Sequence, residues 1–252
     1  MKITTVLPVS RIQYLDRVLG SLQNQTYLPH NIIIVYDGNE TDYISVRNQV
    51  MQLEGFEHRL VILSRNLSSA HTIAERRWHI VNIHNQVRET LGDCDWVFSI
   101  EDDGILPPDA VEKLVNNLQL DTGMITGVEL GRWGIPYVGA WNVDDINEPK
   151  KISSLENKTA IGGVEKIDAC GLYCALVRAD MYKKHKFDTR NGLGPDVNLA
   201  LFLRQQGLQN YIDWSIYVTH LTNYKGQEIE IPATSESKPI TMQLLGGSTW
   251  RY

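Results

Sequence analysis

The run Asp95-Trp96-Val97-Phe98-Ser99-Ile100-Glu101-Asp102-Asp103-Gly104 decides the fold. Its apolar part has the length of a buried strand. Such a strand tolerates no ionised carboxylate along its length, so three acids in a row mark its tip, where they face solvent, a cation or a ligand. Neighbouring carboxylates repel one another, and a divalent cation bound through oxygen relieves that repulsion most simply. Mg2+ or Mn2+ suits the site. These hard ions usually complete their shell with substrate phosphates, which points to a nucleoside diphosphate. A solvated acidic turn is the alternative, because acids and glycine also gather in turns for conformational reasons.

Upstream, residues 3–7 read as a short buried strand, and residues 14–23 place Leu15, Val18, Leu19 and Leu22 at helical spacing. Asn31-Ile32-Ile33-Ile34-Val35-Tyr36 is a second continuous apolar run, cut off by Asp37-Gly38-Asn39. Residues 43–53 read as a helix, 60–63 as a third strand and 72–91 as a long helix before the strand at 96–100. This alternation predicts an α/β fold: a Rossmann-like, mostly parallel central sheet flanked by helices, with ligands beyond the carboxyl ends of the strands. Asp37 and the acidic triad both fall at such ends.

Downstream, residues 108–118 open as a helix, with Pro108 and Asp109 in the first turn. Residues 122–165, rich in Gly, Asn, Pro, Trp and Tyr, read as a binding loop or a twisted antiparallel patch. Residues 167–177 read as one strand crossed by Gly171, 196–206 as a helix, and 211–218 as a last strand ending at Thr219-His220. The remainder has weak periodicity.

A chain of 252 residues, 42% hydrophobic and 21% charged, suits one large domain or two closely fused halves. A net charge of −6 gives no general attraction to a phosphate backbone, so a nucleic-acid partner would need a local basic patch. Arg76, Arg77 and Arg88 are the densest basic group near the site. Cys94, Cys170 and Cys174 are too few for a disulfide framework and match no zinc spacing, which implies a reducing compartment. The N-terminal apolar run is too short for a signal peptide or a membrane span, so the expected location is cytoplasmic, without integral membrane association.

Four separated segments together resemble the family 2 glycosyltransferases of the GT-A fold. Leu7-Pro8-Val9-Ser10-Arg11 with the helix after it, and Ile33-Ile34-Val35-Tyr36-Asp37-Gly38-Asn39, are similar to the family's first two strands. Arg77-x-x-Ile80-Val81-x-x-His84-Asn85 is similar to its helix before the metal strand, and Glu101-Asp102-Asp103 to its DxD motif. Gly194-Pro195-Asp196-Val197, followed by Gly207 and His220, is similar to its acceptor-side helix, strand and histidine.

The resemblance implies a nucleotide-sugar-binding half over residues 1–120 and an acceptor-binding half over 121–221, which includes the small antiparallel patch read from composition, while the weak periodicity of 222–252 reads as a tail or lid. It implies that Pro8, Val9 and Asp37 hold the base, a role a carboxylate can fill by accepting from a ring N–H. Glu101 or Asp102 would meet ribose or the ion, and Asp103 and His220 would ligate Mn2+ or Mg2+. Arg11, Arg65 and above all Arg77 would neutralise phosphate. Asp196 would be the base of an inverting transfer from a UDP-sugar, although the family usually carries a second acid where this chain has Pro195. Its position also suits a helix cap, and a retaining enzyme would not need it.

The acceptor stays open: Trp133, Tyr137, Trp141 and the terminal Trp250-Arg251-Tyr252 suit a sugar, a modified nucleobase or another hydroxyl compound. Two other readings compete. A nucleotidyltransferase would carry a Gly-rich phosphate loop, which Pro8-Val9-Ser10-Arg11 lacks, and a carbohydrate-binding module would leave the acids without a task.

Overall fold

The computed structural model describes residues 1–62, 72–131, 136–224 and 227–244. The chain begins with β1 (Ile3–Val9), α1 (Leu15–Gln23), β2 (Asn31–Tyr36), α2 (Tyr43–Val50), β3 (Glu57–Ile62), α3 (Ile73–Thr90) and β4 (Trp96–Ile100). Next come β5 (Gly104–Ile105), α4 (Ala110–Asn116), β6 (Thr122–Val128), β7 (Leu130–Gly131), β8 (Tyr137–Val138), β9 (Ala140–Val143), β10 (Lys151–Ser154), β11 (Val164–Ile167) and β12 (Ala169–Cys170). Finally β13 (Cys174–Arg178), α5 (Ala179–Lys184), α6 (Pro195–Gln205), β14 (Gln209–Tyr217), β15 (Thr219–Tyr224), β16 (Gln227–Pro232) and β17 (Thr241–Gln243) complete it.

An eight-stranded central sheet runs β11-β14-β6-β13-β4-β1-β2-β3. β3, β2, β1 and β4 pair in parallel, as do β14 and β6, while β13 runs antiparallel between β4 and β6. Side chains alternate across the pleat: Leu7, Val9, Ile32 and Ile34 join α1, α2 and α4 in one core, whereas Val6, Ile33 and Val35 join α3, α5 and α6 in the other. α1 buries Leu15, Val18, Leu19 and Leu22, each worth roughly 1.5–3 kcal/mol relative to exposure. Thr72 and Glu75 cap α3 reciprocally, at 3.1 and 2.8 Å, and fix where that helix starts. Small antiparallel sheets, β12-β9-β10-β17 and β16-β15-β5, cover the carboxyl side of the central strands.

Three expectations are corrected. Residues 122–165 contain β6, a fully buried central strand, alongside β8 to β11. Its sequence Thr-Gly-Met-Ile-Thr-Gly-Val looks like a loop, but a Cβ on Gly127 would lie 2.7 Å from Ile216 Cγ2, so glycine is what lets β14 approach. Residues 167–177 are not one strand: β11, β12 and β13 belong to different pairings, broken at Gly171, where a Cβ would meet the Tyr173 ring at 2.7 Å. β14 is not the last strand either, since β15, β16 and β17 follow it, and Arg17 of α1 bonds Glu228 and Glu230 of β16. Among the described residues no helix is long and apolar enough to cross a membrane.

Candidate functional site

Asp102 and Asp103 follow β4 and are buried. The Asp102 carboxylate is taken up by the loop leaving β1. Ser10 N–H donates to its Oδ2 at 2.7 Å, the Ser10 hydroxyl at 3.1 Å and Arg11 N–H at 2.9 Å, while the Arg11 guanidinium closes on Oδ1. The same guanidinium lies 2.8 Å from Asp103 Oδ2. Burial works against the Arg11 charge, but Asp102 and then Asp103 outweigh it and raise its pKa. Arg11 therefore relieves the repulsion between the neighbouring acids from within the chain.

β5 pairs with β15 so that His220 stands opposite Gly104, and Leu221 N–H donates to the Asp103 carbonyl at 2.7 Å. That register brings His220 Nε2 to 3.2 Å from Asp103 Oδ2. His220 Nδ1 lies 2.8 Å from the Leu130 carbonyl, which only accepts, so Nδ1 carries a proton. Burial lowers the His220 pKa, but Glu129, 3.8 Å from Nδ1, and then Asp103 outweigh it and push it up to about 9.

Asp103 and His220 are spaced as two neighbouring ligands of a divalent ion would be, and an ion there would displace the His220 Nε2 proton and the Arg11 contact on Asp103 Oδ2. Neighbouring ligands of an octahedral ion lie roughly 3 Å apart when each is about 2.1 Å from the metal, and Asp103 Oδ2 and His220 Nε2 are 3.2 Å apart. The Leu130 carbonyl holds Nδ1, so Nε2 is the atom that would face an ion. Among the described residues no group of three or more His, Cys, Asp or Glu is placed to hold a metal, so phosphate and water would complete the shell.

A cleft of about 340 Å³ opens beside this knot, lined by Pro8, Val9, Ser10 and Arg11 after β1, by Arg76, Ile80, Ile83 and His84 of α3, and by Ser99, Ile100, Glu101, Asp102 and Leu172. Asp37 sits at the end of β2 and does not line it. Its N–H donates to Val9 O at 2.8 Å, and its Oδ2 lies 3.2 Å from His79 Nδ1. Asp37 Oδ1 is buried without a hydrogen-bond partner among the described residues.

A second cleft, about 250 Å³, lies between α3 and the start of α6. Arg77, Tyr137, Trp141, Ile152, Leu193, Gly194, Pro195, Asp196, Val197 and Met242 line it, and it shares Ile80, His84, Glu101 and Leu172 with the first. Pro195 starts α6, and a Cβ on Gly194 would collide with Asp196 Oδ1, so glycine leaves room for the carboxylate. Burial raises the Asp196 pKa, against the Val197 N–H and then the Arg77 charge.

The structure thus groups Pro8, Val9, Arg11, Glu101 and Asp102 on the first cleft, with Asp103 and His220 joined to them through Arg11. Arg77 stands on the second cleft with Asp196, Tyr137 and Trp141, its Nη1 donating to Gly192 O at 2.5 Å, while Arg76 turns to the first. Arg65, Trp133, Trp250, Arg251 and Tyr252 lie outside the described residues. Sequence reasoning passed over His79 and gave His84, quoted within the α3 motif, no role of its own. The signal was present in the spacing of Arg77, Ile80 and His84, at i, i+3 and i+7, which puts them on one helical face.

An acid-tipped, mostly parallel sheet with antiparallel β13 inserted and small antiparallel sheets over its carboxyl side is the GT-A arrangement. The chain belongs to the family described as glycosyl transferase family 2, whose model matches residues 9–185. No curated protein matches this sequence. Among solved structures, GalNAc-T7 with UDP, GalNAc and Mn2+ superposes with a TM-score of 0.65 at 10% identity, covering 90% of this chain and 45% of that one. TarS 1–349 of S. aureus superposes with a TM-score of 0.53 at 11% identity, covering 84% and 57%. Its complex with UDP-GlcNAc gives 0.52 at 13%, covering 84% and 55%. The chain spans about half the length of these structures, and at such identities the likeness is one of fold.

Proposed function

We propose that the protein transfers a sugar from a nucleoside-diphosphate sugar, a UDP-sugar, to a hydroxyl acceptor, with Mn2+ or Mg2+ and with inversion at the anomeric carbon. The observation that carries this reading is the junction of two clefts, one bounded by the acids after β4 and the other by Asp196, through Ile80, His84, Glu101 and Leu172. UDP, UDP-GlcNAc or Mn2+ accompanies the fold neighbours TarS and GalNAc-T7.

Pro8 and Val9 form a wall for the base, and buried Asp37 Oδ1 is an acceptor in want of a donor, such as a ring N–H of uracil. Arg11 and Arg76 carry positive charge to the diphosphate. Asp103 and His220 would hold the ion, with Glu101 towards ribose and Asp102 keeping the Arg11 loop in place. When bound, the ion neutralises charge that develops on the departing diphosphate. Asp196 takes the proton of the acceptor hydroxyl as that oxygen bonds to the anomeric carbon, and the diphosphate leaves with the electron pair of the old bond. Its raised pKa makes it a stronger base than an exposed aspartate.

In this reading residues 1–120 bind donor, 121–221 bind acceptor and 222–252 act as a tail or lid, consistent with Met242 on the second cleft. Tyr137 and Trp141 offer the acceptor, whether sugar, modified nucleobase or other hydroxyl compound, a stacking surface. Three free cysteines accord with a cytoplasmic setting. A hydrolysis and transfer screen over UDP-, GDP- and dTDP-sugars tests the proposal. Turnover confined to UDP-sugars and dependent on Mn2+ or Mg2+ supports it, and indifference to both nucleotide and metal contradicts it.

A further inference from the structure

His84 is the side chain for which neither the fold nor the proposed chemistry has yet supplied a use. It projects from α3 into the junction, lining both clefts, and only Glu101 among the other three shared residues is polar. Its ring is held on two sides, by Tyr182 and by Phe187, and Asn85 anchors the latter. Tyr182 Oη lies 2.6 Å from Nδ1, the Phe187 ring stacks on it with centroids 4.8 Å apart and planes inclined 22°, and Asn85 exchanges hydrogen bonds with the Phe187 backbone at 3.0 Å each way.

These contacts also fix the proton. Burial raises the Tyr182 pKa, so the phenol keeps its hydrogen, and burial and then His185 push the His84 pKa down to about 4, so the ring is neutral. Among the described residues Nδ1 is the one partner of Tyr182 Oη, so the phenol spends its hydrogen there, which leaves the ring hydrogen on Nε2. His84 Nε2 has no hydrogen-bond partner among the described residues.

We infer that His84 contacts the transferred sugar, donating from Nε2 to one of its hydroxyls where the donor cleft meets the acceptor cleft, with Tyr182 as the positioning residue that sets the tautomer. The inference rests on the donor reading above and adds to it the group that recognises the sugar rather than the nucleotide. A few directed polar atoms in an otherwise apolar junction are what orient a polyhydroxylated ligand.

Calorimetric titration of the full chain with UDP, UDP-glucose and UDP-GlcNAc in Mn2+ tests this. The readout is the ratio of UDP-sugar to UDP affinity in wild type, His84→Phe and His84→Gln. Loss of one neutral hydrogen bond should lower that ratio about tenfold in His84→Phe for at least one sugar, with UDP affinity unchanged, and the amide donor of His84→Gln should restore most of it. An unchanged ratio in His84→Phe overturns the role of His84 alone. Absence of UDP binding to the wild type overturns the donor reading, and this inference with it. The tautomer is read without any substitution from the ring 15N shifts of His84 at pH 7. Protonated Nε2 with bare Nδ1, reversed or averaged in Tyr182→Phe, is expected, and a hydrogen on Nδ1 in the wild type contradicts the assignment.

Discussion

His220 Nε2 lies 3.2 Å from Asp103 Oδ2 across 117 residues of chain, because β15 pairs with the two residues that follow the acids of β4. A pair assembled by strand register is rigid, which is what an ion held by two protein ligands would require. His220→Gln should raise the Mn2+ concentration needed to stabilise the protein in the presence of UDP by about tenfold or more, read as Tm against Mn2+. Equal Mn2+ dependence in the variant and the wild type would remove His220 from the site.

Asp102 behaves differently from its neighbour. Its carboxylate accepts from Ser10, from the Arg11 backbone and from the Arg11 guanidinium, so Asp102→Ala leaves two backbone donors without their acceptor and the half-buried Arg11 cation with Asp103 alone. The expected loss is about 3 kcal/mol, a fall in Tm of roughly 10 °C, measured by thermal unfolding. A Tm within about 2 °C of wild type would show that the β1 loop does not depend on this carboxylate.

Asp196→Asn should leave UDP affinity within about twofold and lower transfer by about 100-fold or more. Because burial raises the Asp196 pKa, the acidic limb of the wild-type rate profile should lie at higher pH than an ordinary aspartate would give: activity is full above that pKa and lost as pH falls through it. Steady-state transfer rates across pH check both statements, and full transfer by the variant would discard Asp196 as base.

Stability should also fall in mild acid. His84 and His185 are both held neutral, with pKa values of about 4 against 6.5 unfolded. Between those values the unfolded chain binds protons that the folded chain refuses, so stability is complete above pH 6.5 and declines towards pH 4, by up to about 3 kcal/mol for each histidine. His185→Phe, which keeps the ring contacts with Phe187 and Phe202, should flatten part of that slope in denaturant titrations at pH 7 and pH 5. An identical slope would place the acid sensitivity elsewhere.

The sequence revealed those parts of the fold whose physics is local. β2 and β4 are short, mostly apolar runs stopped by Asp37-Gly38 and by the acidic triad, and the structure ends both strands at those stops. β6 was hidden because two glycines in seven residues resemble a loop until Ile216, 89 positions later, supplies the reason for Gly127. The same holds at the site. Asp103, Asp196 and His220 stand out through the resemblance, whereas the anchoring of Asp102 by Ser10, 92 residues away, and of His84 by Tyr182, 98 residues away, is created by tertiary packing. The charge pattern alone could not show that Arg11 stands between the acids.

In the proposed reading a divalent ion on Asp103 joins the protein to the diphosphate of its donor, and UDP affinity measured with Mn2+ and with a chelator, in wild type and Asp103→Asn, decides it. Mn2+ should strengthen UDP binding by about tenfold or more in the wild type and leave the variant unchanged. Equal UDP affinity in the wild type with and without Mn2+ would contradict it.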